Sequence, residues 1–296
     1  MNDKRLKRNS LGYYEIANKP SQDDLQSFYS EKYYKDDGKG AVSYEKFYDD
    51  EELKYINLKI SQRFSIARKL LKISNGKFLD VGCGKGFSLK HYFDLGWKVK
   101  GIDFSKTAIM QHNPDMVDKV DFGDVYSIIN SLIKKNKKYD IITLDNVLEH
   151  LLEPVDLLEN LKKIISNDGI LILVVPNDAS LIQEYCFDRN LINERFWICP
   201  PDHLSYFNYD SLIALGEHTG YDCKNVIADF PIDYFLLNPH SNYVLNKSVG
   251  KDAHRARIRA ELLLSEKNND DVLSYYHSLA KVGLGRDLTA FFSLKQ

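Results

Sequence analysis

The sequence predicts a doubly wound α/β fold around a seven-stranded sheet, and three observations carry that expectation. The stretch Lys77 to Asp103, KFLDVGCGKGFSLKHYFDLGWKVKGID, reads as strand, glycine loop, helix, strand, acid, which is half of a nucleotide-binding α/β unit. Tyr139–Asp145 and Ile170–Val175 are near-continuous apolar runs, the pattern of central parallel strands covered on both faces. Helical patterns separate the strands, as crossover connections require.

Taken in order, residues 1 to about 60 differ in character from the rest and are expected to form an N-terminal helical cap. Leu11 to Glu15 reads as extended, and Ser21 with Asp24 three positions on makes a near capping box for a helix. Tyr33 to Gly40 reads as a turn-rich loop, and Glu45 to Leu71 as helix broken near 49–51. Residues 61–296 are expected to form the ligand-binding domain, with Ser61–Lys72 as the helix feeding the first strand. Phe78–Val81 and Val99–Ile102 are its first two strands, and a helix from Ser105 to His112 follows with Ser105 as N-cap. Lys119–Phe122 is the third strand and Tyr139–Asp145 the fourth. Pro154–Ser166 is an amphipathic helix, Asn167-Asp168-Gly169 a turn, and Ile170–Val175 the fifth strand. Insertions are expected at about 178–208 and 231–285, the second with helices near 252–266 and 270–282. Cys223–Asp229 and Leu288–Leu294 supply the last two strands.

A chain of 296 residues can bury a core of ample size. Its formal net charge of −2 gives no global field toward nucleic acid or a membrane, and the basic runs Lys4–Arg8 and Lys134–Lys138 read as solvated tail and loop. The four cysteines are widely spaced without C-x-x-C, so neither a disulfide framework nor a zinc site is expected. The charged N-terminus lacks the apolar core of a signal peptide, and no run approaches the length of a membrane span, so a cytoplasmic protein is expected.

Glycines suit the loop after the first strand because a Cβ would block approach of a ligand to the backbone, and some positions need φ > 0. Their spacing, at 82, 84 and 86 with Asp80 just before, is not the G-x-G-x-x-G of dinucleotide sites. An acid at 80 suits a ligand with a cationic amino acid end. DVGCGKG resembles motif I of the class I S-adenosylmethionine (SAM) methyltransferases, and Asp103 falls 17 residues after Gly86, as in that family. The resemblance implies a Rossmann-like, seven-stranded, mostly parallel sheet and SAM as cofactor. It implies that Asp80 and the loop Gly82, Cys83, Gly84 and Gly86 hold the amino acid end, and that Asp103 with Phe104 holds the ribose. It places Asp124 and Val125 at the adenine, where the acid could equally be turn chemistry, and Asp145 and Asn146 near the methyl donor. Cys83 reads as a small packing residue.

His203 and His150 are the candidate general bases for a hydroxyl acceptor. His203 lies in D-H-L-S-Y-F, which resembles the H-L-x-x-F element of bacterial sugar and surface-polysaccharide methyltransferases; its other reading is a loop tie. His150 opens the segment after the fourth strand and could instead pack beneath the cofactor. Quinone-pathway relatives carry E-x-x-E-H for a divalent ion; here the run is Asn146-Val147-Leu148-Glu149-His150, so no metal dependence is expected. G-Y-Y-E and P-S-x-x-D-L near the start and G-L-G-R-D-L-T near 285 also resemble the sugar-pathway group. The expected acceptor is a small molecule, a nucleotide-activated sugar or a related capsule or lipopolysaccharide precursor. A quinone or small-aromatic acceptor and a non-catalytic SAM-binding regulator are the alternatives. Tyr13, Tyr33, Tyr34 and Tyr44 are lid candidates that could equally pack the cap onto the core.

Overall fold

The computed structural model describes residues 3–25, 27–28 and 48–295, so Tyr33, Tyr34 and Tyr44 lie outside the described residues. Strands β1 (Leu6–Arg8) and β2 (Tyr14–Ile16) form an antiparallel hairpin. Part of the basic run at 4–8 is therefore strand, held by Lys7 pairing with Glu15 across the hairpin. The expected capping box forms: Asp24 N–H donates to Ser21 Oγ at 3.1 Å, and Ser21 N–H to Asp24 Oδ2 at 3.0 Å. Tyr13 is buried and its ring lies 4.8 Å from that of Phe207, which is the packing role.

Helix α1 (Asp50–Leu71) is one unbroken element of 22 residues running through position 60. The break expected near 49–51 is its beginning: Asp49 caps Glu52 N–H, and the Glu52 side chain returns the bond. Then follow β3 (Lys77–Val81), α2 (Phe87–Asp94), β4 (Lys98–Asp103), α3 (Thr107–His112), β5 (Val120–Phe122) and α4 (Val125–Lys134). The chain continues through β6 (Tyr139–Asp145), α5 (Pro154–Leu161) and β7 (Ile165–Pro176). Helix α5 is shorter than the sequence suggests. Ile164 and Ile165 extend its apolar rhythm, yet Tyr139 takes Ile165 as its partner in β7, and the sheet claims the segment. The Asn167-Asp168-Gly169 signal becomes an irregularity inside this strand, where the register shifts between Tyr139 and Ile141. The remainder is α6 (Leu181–Asp188), β8 (Ser205–Tyr206), α7 (Tyr209–His218), β9 (Tyr221–Ala228), α8 (Gly250–Ser265), α9 (Asn269–Lys281) and β10 (Asp287–Leu294).

The main sheet has the order β5-β4-β3-β6-β7-β10-β9. All pairs from β5 to β7 are parallel, and β10 runs antiparallel to both β7 and β9. This is the seven-stranded, mostly parallel sheet that the sequence predicts. The chain order reverses between β3 and β6, so a crevice opens beyond their C-terminal ends. Because β10 is reversed, its N-terminal end, at Asp287, reaches the same rim. One row of Cα partners crosses the rim: Asp145, Val174, Thr289 and Ile227.

Phe78, Leu79 and Val81 of β3 are fully buried, and Phe78 stacks on Tyr92 of α2 with ring centroids 3.7 Å apart. A second, smaller sheet has the order β1-β2-β8. It joins the N-terminal hairpin to the 178–208 insertion over a separate apolar cluster that includes Ile16, Trp197, Leu204 and Tyr206. No helix among the described residues is long and apolar enough to cross a membrane.

Candidate active site

The glycine loop leaves β3 at the switch point. Gly82, Gly84 and Gly86 have φ of +75°, +51° and +77°, a region L-residues with a Cβ avoid. Gly82 also lies against Val147, just after β6: a Cβ there would come within 2.3 Å of Val147 Cγ2. Gly82 and Cys83 both donate N–H bonds to the Ile102 carbonyl, at 2.8 and 3.0 Å, stitching the loop to β4. Asp103, at the end of β4, accepts from Gly84 N–H at 2.7 Å and from Ser105 N–H at 2.9 Å. Burial raises the Asp103 carboxyl above its ordinary range, and these N–H groups pull it back down.

A cavity of about 480 Å3 opens around the loop. Of the residues named from sequence, Asp80, Gly82, Cys83, Gly84, Gly86, Asp145 and Asn146 line it. Asp103, Phe104, Asp124 and Val125 do not line it. Asp124 caps α4 by accepting from Ser127 N–H at 2.8 Å through Oδ2. Asp80 is 2% exposed. Burial pushes its carboxyl well above the ordinary range, the Asp145 charge adds to that, and Arg63 opposes it. A cation set against it would favour the charged form, so the buried acid fits a ligand with an ammonium end. Asp145 accepts from Arg63 Nη1 at 2.5 Å and from Asn146 Nδ2 at 3.0 Å. Lys85, inside the loop, donates to the Tyr48 hydroxyl.

One face of α1 forms a cavity wall: Tyr55, Ile56, Lys59, Ile60, Gln62 and Arg63 all line it, at helical spacing. Beyond Val174 the cavity continues over β10 and β9 to Ala228, Asp229, Arg257, Asp287 and Thr289. Sequence reading missed this end. Asp229 Oδ1 accepts the backbone N–H groups of Arg286 and Asp287 at 2.7 and 2.8 Å. Arg257, from α8, lies 3.2 Å from Asp229 Oδ2 and donates through Nε to the Tyr55 hydroxyl at 3.0 Å. Lys59 donates to buried Glu261 at 2.7 Å. The one sequence signal was the charged pair Arg286-Asp287 standing directly before an apolar strand.

His150 and His203 meet, although 53 positions apart in sequence, with ring centroids 4.9 Å apart. The cause is a backbone bond, Leu204 N–H to the Glu149 carbonyl at 2.7 Å, together with β8 pairing to β2. His150 Nδ1 lies 2.6 Å from the Asp202 carbonyl oxygen, and His203 Nδ1 lies 3.9 Å from Asp178 Oδ2. Neither histidine lines the cavity. Glu149, 1% exposed, has its carboxyl pushed well above the ordinary range by burial. One donor atom each from Glu149, His150 and His203 lies within 4.8 Å of the others, so these three could hold a metal ion. The set differs from the carboxylate pair expected of E-x-x-E-H, since Asn146 takes no part and His203 joins from the insertion.

Comparison with known proteins bears on this arrangement. The curated ubiquinone biosynthesis O-methyltransferase of Pelagibacter ubique is 28% identical over 139 residues, covering 46% of this chain and 55% of that one. The enzyme of the same name from Paraburkholderia phytofirmans is 31% identical over 94 residues, covering 31% and 40%. The chain spans about half the length of the curated relatives it matches. Among solved structures, a SAM-dependent methyltransferase from Archaeoglobus fulgidus aligns with a TM-score of 0.50 at 19% identity, covering 90% of this chain and 98% of that one. The 1,6-didemethyltoxoflavin-N1-methyltransferase of Burkholderia thailandensis aligns with a TM-score of 0.51 at 11% identity, covering 99% and 100%. These likenesses show a shared fold. A family model described as a methyltransferase domain matches residues 50–226, more than half of the chain, and takes in the glycine loop, Asp103 and the rim at Asp145. The chain therefore belongs to the methyltransferase domain family.

Proposed function

We propose that the chain is a SAM-dependent methyltransferase acting on a hydroxyl of a polyhydroxylated small molecule, a nucleotide-activated sugar or a related capsule or lipopolysaccharide precursor. The observation that carries the acceptor half is the polar far end of the cavity. Tyr55, Asp229, Arg257, Asp287 and Thr289 offer donors and acceptors in one continuous space with the glycine loop. A sugar ring presents hydroxyls all around its edge and suits such a wall. SAM, when bound, supplies a methyl group on a cationic sulfur, already electrophilic. The chain's own task is then to hold, orient and exclude water. Asp80 and Gly82–Gly86 would hold the amino acid end, Asp103 and Phe104 the ribose, and Asp124 and Val125 the adenine. Asp145 and Asn146 would border the reacting end.

A second reading, O-methylation of a quinone precursor or another small aromatic, is favoured by the names of the curated relatives. The rings of Tyr48 and Tyr55 in the cavity are compatible with it. Incubation with methyl-labelled SAM and, separately, UDP-glucose, UDP-N-acetylglucosamine and caffeic acid distinguishes the readings. Label on a sugar nucleotide is expected. Label on caffeic acid alone would replace the first reading with the second. SAM binding by calorimetry with no labelled product from any cell-extract fraction would make the protein a non-catalytic binder.

A further inference from the structure

We propose that Asp287 is the proton acceptor for the reacting hydroxyl, a role that sequence reading gave to His203 or His150. The inference rests on the methyl-transfer reading above and names the base of that same site. Four carboxylates line the cavity: Asp80, Asp145, Asp229 and Asp287. Asp80 is buried beside the glycine loop. Asp145 is committed to Arg63 at 2.5 Å. Asp229 is 4% exposed and committed to two backbone N–H groups and Arg257. Asp287 differs from all three in its bonding. Its side chain is about as exposed as that of Asp145, 28% against 29%, but among the described residues its carboxylate oxygens accept no hydrogen bond; Arg257 is its ion-pair partner, at 3.9 Å.

The strand register places it. Thr289 shares a row with Val174 and Asp145, and Asp287 is two positions along β10, on the same face of the sheet. Asp145 and Thr289 are two interstrand steps apart, about 10 Å at the usual spacing of about 4.8 Å. A ring-sized acceptor bridges that span, with the donor expected over β3 and β6 at one end and Asp287 at the other. The groups facing Asp287 are Asp229 just after β9, Arg257 from α8, the neighbouring Arg286, Asp145 from β6 and Glu149 a few residues beyond it. Burial and the Asp229 charge push its carboxyl up to about 7, against the pull of the two arginines. A carboxylate so poised accepts a proton more readily than an ordinary one near neutral pH.

The step balances as follows in atoms and charge. The acceptor oxygen forms the new O–CH3 bond while the methyl–sulfur bond breaks, its electron pair passing to sulfur, which becomes a neutral thioether. The hydroxyl proton passes to Asp287, which returns it to water after product leaves.

Two measurements test the role. In the wild-type protein labelled with [γ-13C]aspartate, the Asp287 carboxyl, identified by its loss in Asp287→Asn or Asp287→Glu, is expected to titrate between pH 6 and 8. A midpoint below pH 5 overturns the proposal. With whichever of UDP-glucose, UDP-N-acetylglucosamine or caffeic acid the wild type methylates, Asp287→Asn is expected to lower kcat by about 100-fold or more and to remove the acid limb of the pH–rate profile. Its SAM dissociation constant should stay within about threefold of wild type. A kcat within about threefold of wild type overturns the proposal. Calorimetry with SAM on the wild type separates the layers. No SAM binding sinks the methyl-transfer reading and the base with it, whereas SAM binding with an Asp287 that titrates below pH 5 removes the base alone.

Discussion

Replacing Gly84 with alanine separates ligand cradling from folding. At Gly84 an added Cβ meets no atom within 4 Å, while φ is +51°. The folded state then bears only the left-handed backbone cost, about 1–2 kcal/mol. For domains of 150–250 residues each kcal/mol shifts Tm by roughly 2–4 °C, so a loss of about 2–8 °C is expected. Gly82→Ala is the control. It carries a similar backbone cost at φ +75° and also drives Cβ to 2.3 Å from Val147 Cγ2. Overpacking of that kind adds about 1–3 kcal/mol, so its total is about 2–5 kcal/mol. Because Gly84 lines the cavity and its Cβ would project into open space there, Gly84→Ala should weaken SAM binding by about 10-fold or more despite its milder folding cost, a loss of at least about 1.4 kcal/mol. Differential scanning calorimetry and isothermal titration with SAM read the two effects independently. A Gly84→Ala protein that melts slightly early yet binds SAM as wild type does would refute the cradle.

Asp103→Ala should weaken SAM binding, and its loop amides, no longer held by the carboxylate, should exchange hydrogen faster; unchanged SAM affinity removes the ribose role. Ser180→Ala breaks a reciprocal cap with Gln183 at the start of α6 and should cost about 1 kcal/mol in urea unfolding, with no loss expected if the cap is idle. The Asp178 carboxyl is pushed up to about 6 by burial, which outweighs the pull of Arg286 at 3.2 Å. A folded-state pKa above the unfolded one means stability present on the acid side and lost as pH rises from about 4 through about 6, by at most about 1.4 kcal/mol per pH unit. Unfolding at pH 4.5 and 7.5 should therefore show a larger drop for wild type than for Asp178→Asn, and parallel behaviour would contradict the assignment. Dialysis against EDTA should leave SAM affinity unchanged, since Glu149, His150 and His203 do not line the cavity; a lost affinity restored by Mg2+ would give that trio a metal role.

The donor half of the site was legible because its signals are local. Strand, glycines and Asp103 sit within 27 residues, and each demands its neighbour: the glycines take positive φ, and Asp103 accepts from Gly84. The acceptor half was not. Tyr55, Asp229, Arg257 and Asp287 come from a helix, two strand ends and an insertion, and no spacing rule connects them. The cavity face of the helix that continues across position 60 left no such signal, because Lys59, Gln62 and Arg63 are polar residues that belong to no motif. The overlong reading of α5 has a related cause. Ile164 and Ile165 fit a helical period as well as a strand, and only pairing with Tyr139, invisible to a local pattern, decides between them. The histidine pair was found as two candidates, but their meeting depends on one backbone bond between Leu204 and Glu149.

The reversed strand β10 also bears on the order in which the molecule assembles. It slots between β7 and β9, and its partners in β7 precede it by more than a hundred positions. Until it arrives, those two strands face each other across a gap one strand wide, each with an unpaired edge open to the wrong neighbour. The donor half pairs its strands at shorter separations, the longest being β3 with β6 at 63 positions, and can form earlier, whereas pairing at more than a hundred positions is slower. A chain caught between the two stages would hold a formed nucleotide crevice beside an unfinished sheet, and aggregation of that intermediate would be driven by strand edges rather than by exposed core.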